Sequence, residues 1–174
     1  FKEVLLKAVK HINSNAFLIS ATKGIEEEGF LLMSQILENE TKGHDIGVIS
    51  GPNLALEISL NQLTGTVIAS KSRTLRDECI KIFSSDSFRL YTNNDPYGVE
   101  LGGALKNIYA IACGIADGLD SGENTVGMIM TRGLAEMSRF AVNQGADPMT
   151  FLGLSGVGDL ITTCASPLSR NHAL

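Results

Sequence analysis

Cysteine is scarce in this 174-residue chain: Cys79, Cys113 and Cys164 form an odd, widely spaced set. No CxxC pair occurs, and the three histidines are scattered. This argues against a disulfide framework and against a metal site, and fits buried apolar thiols in a reducing, cytoplasmic setting. Positive charge is not in excess either. The formal net charge is -5, so no basic surface speaks for nucleic acid or an anionic membrane. An anionic ligand would have to be held by a few placed cations. No apolar run reaches the length expected of a bilayer span. No signal peptide is evident, because the opening "FKEVLLKAVKHI" is amphipathic and carries lysines. Repeats and low-complexity segments are lacking. So is a dinucleotide fingerprint: "GLSGVG" has its three glycines in the wrong order and no strand before them.

What is present is a chain 44% hydrophobic, enough for one domain or two small ones with a real core. Residues 1–12 fit a helix, and "AFLISA" (16–21) has the length and bounds of a buried strand. In "IEEEGFLLMSQILENE", Glu26, Glu27 and Glu28 read as the acidic first turn of a helix. Strands are expected at 45–50, 65–70 and 88–94, with a short helix in "LALEISLNQ" and a longer one in "SRTLRDECIKIFSS". Alternating strands and helices predict a parallel sheet with helices packed on it. At Asp95-Pro96, an N-cap followed by a first-turn proline, the pattern changes to helices alone. One helix is expected from Pro96 to about Leu119, with Leu101, Leu105, Ile108, Ala112, Ile115 and Leu119 as its core stripe. A second spans about Asn124 to Asn143. Val126, Met130, Gly133, Met137 and Phe140 share one of its faces. Asp147-Pro148 repeats the cap-plus-proline start, and "GLSGVGDLITTCA" reads as a glycine-rich turn and a short helix. The expected fold class is α/β then all-α, divided into residues 1–94 and 95–174.

Lys106 stands out in "ELGGALKNIYAIACGIADG" because an amine is costly to bury. Its neighbours at helical spacing are Gly102, Gly103, Ala110 and Cys113. Spacing alone favours a lysine that reaches water while the glycines serve close helix packing. The alternative is a partly desolvated amine whose pKa falls from about 10.4 toward neutrality, able to exchange a proton near pH 7. Asn107 would then offer a hydrogen bond in the same cleft. Lys23 follows the strand in "ISATKG", and Gly51 follows the next in "VISGPN". Both fall at carboxyl ends of strands, where open α/β sheets bind ligands. Each also reads plainly as a loop lysine and a turn glycine. Asp159 in "GVGDLITTC" reads locally as an N-cap. Arg170 in "PLSRN" offers the forked cation suited to phosphate, flanked by Ser169 and Asn171.

In order, "ISATKG", "VISGPN", "ELGGALKNIYAIACGIADGL", "TRGLAEMSR", "GLSGVGDLITTC" and "SRN" resemble the NAD(P)-dependent glycerol-3-phosphate dehydrogenase family of bacterial type, over essentially the whole chain. The resemblance implies an oxidoreductase (EC 1.1.1.94-like) with NAD or NADP as cofactor, a Rossmann-type parallel sheet and a helical substrate domain. It implies interconversion of sn-glycerol 3-phosphate and dihydroxyacetone phosphate for glycerophospholipid synthesis. Lys106 matches the proton acceptor. Lys23, Asp159, Ser169, Arg170 and Asn171 match substrate contacts, with Arg170 also near the cofactor. Gly51 and Asn53 match further substrate contacts, Ala55 a cofactor contact, and Asn107 and Thr163 other active-site positions. Relatives often carry Thr or Ser where Asn53 stands. The expected partner is a small-molecule substrate, with a homodimer left open. The chain opens on Phe1, and the resemblance places the family's glycine-rich turn before it and more sequence after Leu174. On that expectation the chain alone does not oxidise glycerol 3-phosphate, and its half-built sheet tends to aggregate. A related two-domain hydroxyacid dehydrogenase and a non-catalytic remnant are the competing readings.

Overall fold

In the computed structural model, residues 1–173 are described. The first part runs α1 (Lys2–Ala8), β1 (Leu18–Ser20), α2 (Met33–Glu40), β2 (Ile46–Ser50), α3 (Ala55–Ser59), β3 (Thr64–Ser70), α4 (Arg73–Phe83) and β4 (Phe88–Asn93). The strands lie in that order in one sheet. The period-two alternation of a sheet covered on both faces is visible in its packing. Val48, Val67 and Ala69 point to one side and join Val99. Ile49, Ile68 and Ile19 point to the other, where Leu75 and Cys79 of α4 cover them.

The sheet is Rossmann-like but not wholly parallel. β1–β2 and β3–β4 are parallel pairs, whereas β3 runs antiparallel to β2, with Ser50 opposite Val67. Helix length accounts for the difference. α3 has five residues, a rise of about 7.5 Å, too little to return the chain along strands of about 16 Å or more. The chain therefore re-enters the sheet from the end it left. α4, with eleven residues, makes the full return to β4.

A second expectation fails between β1 and α2. Glu26 to Glu28 do not begin a helix. Ile25 and Leu32 form an isolated antiparallel bridge, Phe30 adopts φ 53°, and the Gly29 amide donates to the Glu26 carboxylate at 2.6 Å. The local carboxylate–amide turn outcompetes the helix, which starts only at Met33.

From Asp95 onward the described residues hold only helices. α5 (Pro96–Gly118) starts as anticipated, the Asp95 carboxylate accepting from the Gly98 amide at 2.9 Å ahead of Pro96. α6 (Glu123–Asn143) follows, then a 3-10 turn (Pro148–Leu152), a π turn (Leu154–Gly158) and α7 (Asp159–Ala165). The expected stripe on α5 is corrected. Leu101 is buried, but Ile108, Ile115 and Leu119 are 62%, 59% and 72% exposed. The buried face carries Val99, Gly102, Gly103, Lys106, Ala110 and Cys113 instead. Small residues there let α5 lie against β2, the π turn and α7, while Ile108, Ile115 and Leu119 face away and Leu105 stays packed, partly buried, against the core. On α6, Gly133 and Met137 are buried as expected and Phe140 is half exposed. By length and composition α5 could cross a bilayer, contrary to the expectation that nothing here could. Half of its apolar window is buried in the fold, and Glu100 and Lys106 lie in its buried set, which is the signature of a core helix.

Candidate functional site

Three elements meet around one carboxylate. The loop after β1 carries Lys23, the middle of α5 carries Lys106, and the first turn of α7 carries Asp159. The π turn before Asp159 aims it inward, and local π geometry of this kind recurs at functional sites. Asp159 is 1% exposed. Its Oδ2 accepts from Lys23 Nζ at 2.5 Å, and its Oδ1 accepts from Lys106 Nζ. Lys106 also donates to Thr163 Oγ1, one turn along α7. Thr163 Oγ1 in turn donates to the Asp159 carbonyl at 2.6 Å. Asp159 is thus no mere cap; its side chain is the shared anion of two lysines.

Lys106 is 5% exposed, so it does not extend into open solvent. The glycines beside it serve close packing, as their spacing suggested. A Cβ on Gly103 would lie 2.8 Å from Ser50 Oγ, and one on Gly102 would lie 3.1 Å from the Ser155 carbonyl. They are places where α5 touches its neighbours, and this close fit strips water from the amine. Burial accordingly pulls the Lys106 pKa down to about 8; Asp159 opposes this and the Lys23 ammonium adds to it. The charge count makes the sign intelligible. Two ammoniums on one carboxylate leave a net positive charge in a low-dielectric place, and the release of one proton leaves a neutral pair. Lys23, with its side chain 28% exposed, keeps part of its hydration.

The lysines open onto a cleft of about 620 Å³ beyond the carboxyl ends of β1 and β2. Lys23, Asn53, Lys106, Asn107 and Thr163 line it, joined by Ser169, Arg170 and Asn171. Asn171 Nδ2 donates to Asn107 Oδ1 at 2.8 Å, which ties the segment after α7 to α5. Arg170 is exposed and lines the mouth of the cleft. Gly51 contributes its carbonyl, 3.5 Å from Lys23 Nζ. Its φ of 151° and the closeness of Thr66, 3.2 Å from where a Cβ would stand, leave no place for a side chain. Asn53 donates from Nδ2 to Thr66 Oγ1 at 2.9 Å, and its buried Oδ1 has no partner. Ala55, at the start of α3, is exposed and does not line the cleft; its neighbour Leu54 does.

Sequence reasoning overlooked three nearby groups. Ala21 and Leu54 form the apolar part of the cleft wall; no motif marks them. Glu100, 2% exposed, was legible as a second charge in the same apolar helix. All three cysteines are free and buried, as expected. The Cys164 thiol is pushed up to about 12 by burial beside Cys113, so it is held as the inert thiol. No cluster of possible metal ligands occurs among the described residues.

Residues 1–76 match the family described as NAD-dependent glycerol-3-phosphate dehydrogenase N-terminus, and residues 95–174 match its C-terminus. The chain is 58% identical over 172 residues to the glycerol-3-phosphate dehydrogenase (NAD(P)+) of Teredinibacter turnerae, covering 99% of this chain and 51% of that protein. It is 57% identical to the enzyme of the same name from Pseudomonas syringae pv. syringae, covering 98% of this chain and 50% of that one. The chain spans about half the length of the curated relatives it matches. Among solved structures, glycerol-3-phosphate dehydrogenase from Coxiella burnetii superposes with a TM-score of 0.94 at 38% identity, over 98% of this chain and 52% of that one. The Dunaliella salina structure gives 0.90 at 32% identity, over 99% and 29%. With both family regions in one chain, and the same fold in these solved relatives, this chain belongs to the NAD-dependent glycerol-3-phosphate dehydrogenase family.

Proposed function

We propose that this chain supplies the proton-transfer and substrate-holding half of an NAD(P)-dependent oxidoreductase that interconverts sn-glycerol 3-phosphate and dihydroxyacetone phosphate. The observation that carries the reading is the buried Lys106 amine, depressed to about 8 and hydrogen-bonded to Asp159 at the head of a cleft edged by Arg170. A base poised close to the working pH is what alcohol oxidation needs. The residues present also fit a nicotinamide cofactor. Ala21 and Leu54 give an apolar wall, and the orphaned Asn53 Oδ1 awaits a donor on the same cleft. Hydride acceptance and return is the chemistry that cofactor supplies when bound.

This chain's residues do the rest. Neutral Lys106 takes the proton of the secondary hydroxyl as the carbon loses its hydride. In the reverse direction the Lys106 ammonium returns that proton to the ketone oxygen as negative charge develops there. Lys23 and Asp159 hold Lys106 in place and set its proton affinity. Arg170, with Ser169 and Asn171, holds the phosphate end and so selects which carbon stands beside Lys106. The division into residues 1–94, which support the cofactor, and 95–174, which hold the substrate, belongs to the same proposal. So do a cytoplasmic setting, a contribution to glycerophospholipid synthesis and a homodimeric assembly.

The test is made in the full-length protein. Glycerol 3-phosphate oxidation should rise with pH to a plateau, with an apparent pKa of about 8, and dihydroxyacetone phosphate reduction should fall through the same point. Lys106→Ala should lower kcat by about 10²–10⁴-fold, the usual worth of a positioned acid–base group. Near-normal turnover of that variant removes Lys106 from the chemistry.

A further inference from the structure

Glu100 is the charged group the mechanism leaves unused. It sits in α5, six positions before Lys106, and is buried. Its carboxylate does not face the cleft. Oε1 and Oε2 each accept from the Ser34 amide at 3.2 Å, and Oε2 accepts from Ser34 Oγ at 2.5 Å. Ser34 lies in the first turn of α2, so Glu100 caps a helix 66 positions away, where a carboxylate is favoured by the free amides and the helix dipole. Burial nevertheless pushes the Glu100 carboxyl up against the pull of Ser34. A buried carboxylate is a costly way to join two elements, so the location of the joint matters.

The loop bearing Lys23 runs from β1 to α2. At one end it is fixed by the pairing of β1 with β2. At the other it enters α2, where Glu100 holds Ser34. Lys106 stands on the same helix as Glu100. One carboxylate thereby fixes the far anchor of the Lys23 loop directly to the helix that carries Lys106. We infer that Glu100 is a positioning residue for the reacting lysine: by clamping Ser34 at the start of α2 to α5, it sets the approach of Lys23 to Asp159 and Lys106. The inference rests on the function proposed above, because it assigns Glu100 a part in tuning that same amine.

The groups facing Lys106 are Asp159 and Thr163 from α7, Lys23 from the β1–α2 loop, and Cys164. Glu38 of α2 is the charge that acts on Glu100. Once the clamp is loosened, Lys23 should withdraw from Asp159. Lys106 then loses a repelling neighbour and has the carboxylate to itself, so its pKa should rise. Direct loss of the Glu100 charge acts the other way, because removing an anion disfavours a nearby cation. The sign separates the two.

The experiment measures the Lys106 titration by NMR of lysine side chains labelled at Cε, assigned with Lys106→Met, in this chain and in the full-length protein. Glu100→Gln should raise the Lys106 pKa by about one unit from its depressed value toward the ordinary 10.4. Ser34→Ala, which keeps the amide contact but loses the hydroxyl, should raise it less. In the double variant, Ser34→Ala should add little to Glu100→Gln. The rising limb of the oxidation pH profile should move with the NMR value. An unchanged or lowered Lys106 pKa in Glu100→Gln overturns the positioning role. If Glu100→Gln does not fold, an unchanged pKa in Ser34→Ala overturns it and a raised one sustains it. A wild-type Lys106 that titrates normally sinks the proposed function itself, so the two failures are distinguishable.

Discussion

Lys106 carries a conflict between stability and chemistry that can be measured. Its folded pKa is about 8, against 10.5 for the free side chain. Between those values the unfolded chain binds more protons than the folded one, so this group's contribution makes stability rise with pH across that window. Below about pH 8 the full penalty is present, on the order of 3 kcal/mol. Lys106→Met keeps the length, removes the charge, and leaves Asp159 paired with Lys23. We therefore expect Lys106→Met to be more stable than wild type by about 1–3 kcal/mol at pH 7, the gain shrinking toward pH 10. Urea unfolding of both proteins at pH 7 and 9.5 checks this; a variant less stable at pH 7 refutes the account of the buried amine. Asp159→Asn should behave oppositely. It leaves two ammoniums without an anion, and breaking such a buried pair costs about 3–5 kcal/mol.

At the scale of elements, the glycines divide sharply by what surrounds them. A Cβ on Gly156 would come within 2.3 Å of the Phe151 carbonyl and 2.4 Å of its Cα. Those are backbone atoms of the preceding 3-10 turn that no rotamer change can move, and the π turn packed on them, which holds Gly156, aims Asp159. Gly156→Ala should cost about 3 kcal/mol or more and weaken the hold on Lys106. Gly127, inside α6, would meet nothing within 4 Å, so Gly127→Ala should gain about 0.5–1 kcal/mol from helix propensity. Thermal melts of the two variants should separate in opposite directions; a neutral Gly156→Ala contradicts the packing of the turn. The same elements show what could be read from sequence. α5 was legible almost to the residue because its cap, proline and length are local signals. Its buried face was not, because hydropathy ranks leucine and isoleucine above glycine and lysine, while packing against β2 and α7 rewards closeness. The direction of β3 was hidden in the length of α3. The Glu26 turn was hidden in a competition between a side-chain hydrogen bond and a helix. Lys23, Lys106 and Asp159 were each ambiguous alone, since only the tertiary fold reveals that three separate stretches converge on one carboxylate.

At the scale of the whole molecule, the consequence of the α5 packing is an apolar surface. With Lys106 and the glycines turned inward, Ile108, Ile115 and Leu119 stand 62%, 59% and 72% exposed along one line of the helix, and Ile161 of α7 is 49% exposed. Isolated apolar side chains at a surface are ordinary; a contiguous run of them is a site of association. The net charge of -5 is modest protection. We expect the 174-residue chain to self-associate as its concentration rises. Ile108→Lys, Ile115→Glu and Leu119→Lys together should shift it toward monomer while leaving helix content and the Lys106 titration unchanged, because none of the three side chains lines the cleft. Sedimentation velocity over a concentration series, beside circular dichroism, reads this directly. An association undiminished by the triple substitution would place the sticky surface elsewhere, with the apolar groove of Phe1, Val4, Leu5 and Leu18 at the β1 edge as the next surface to change.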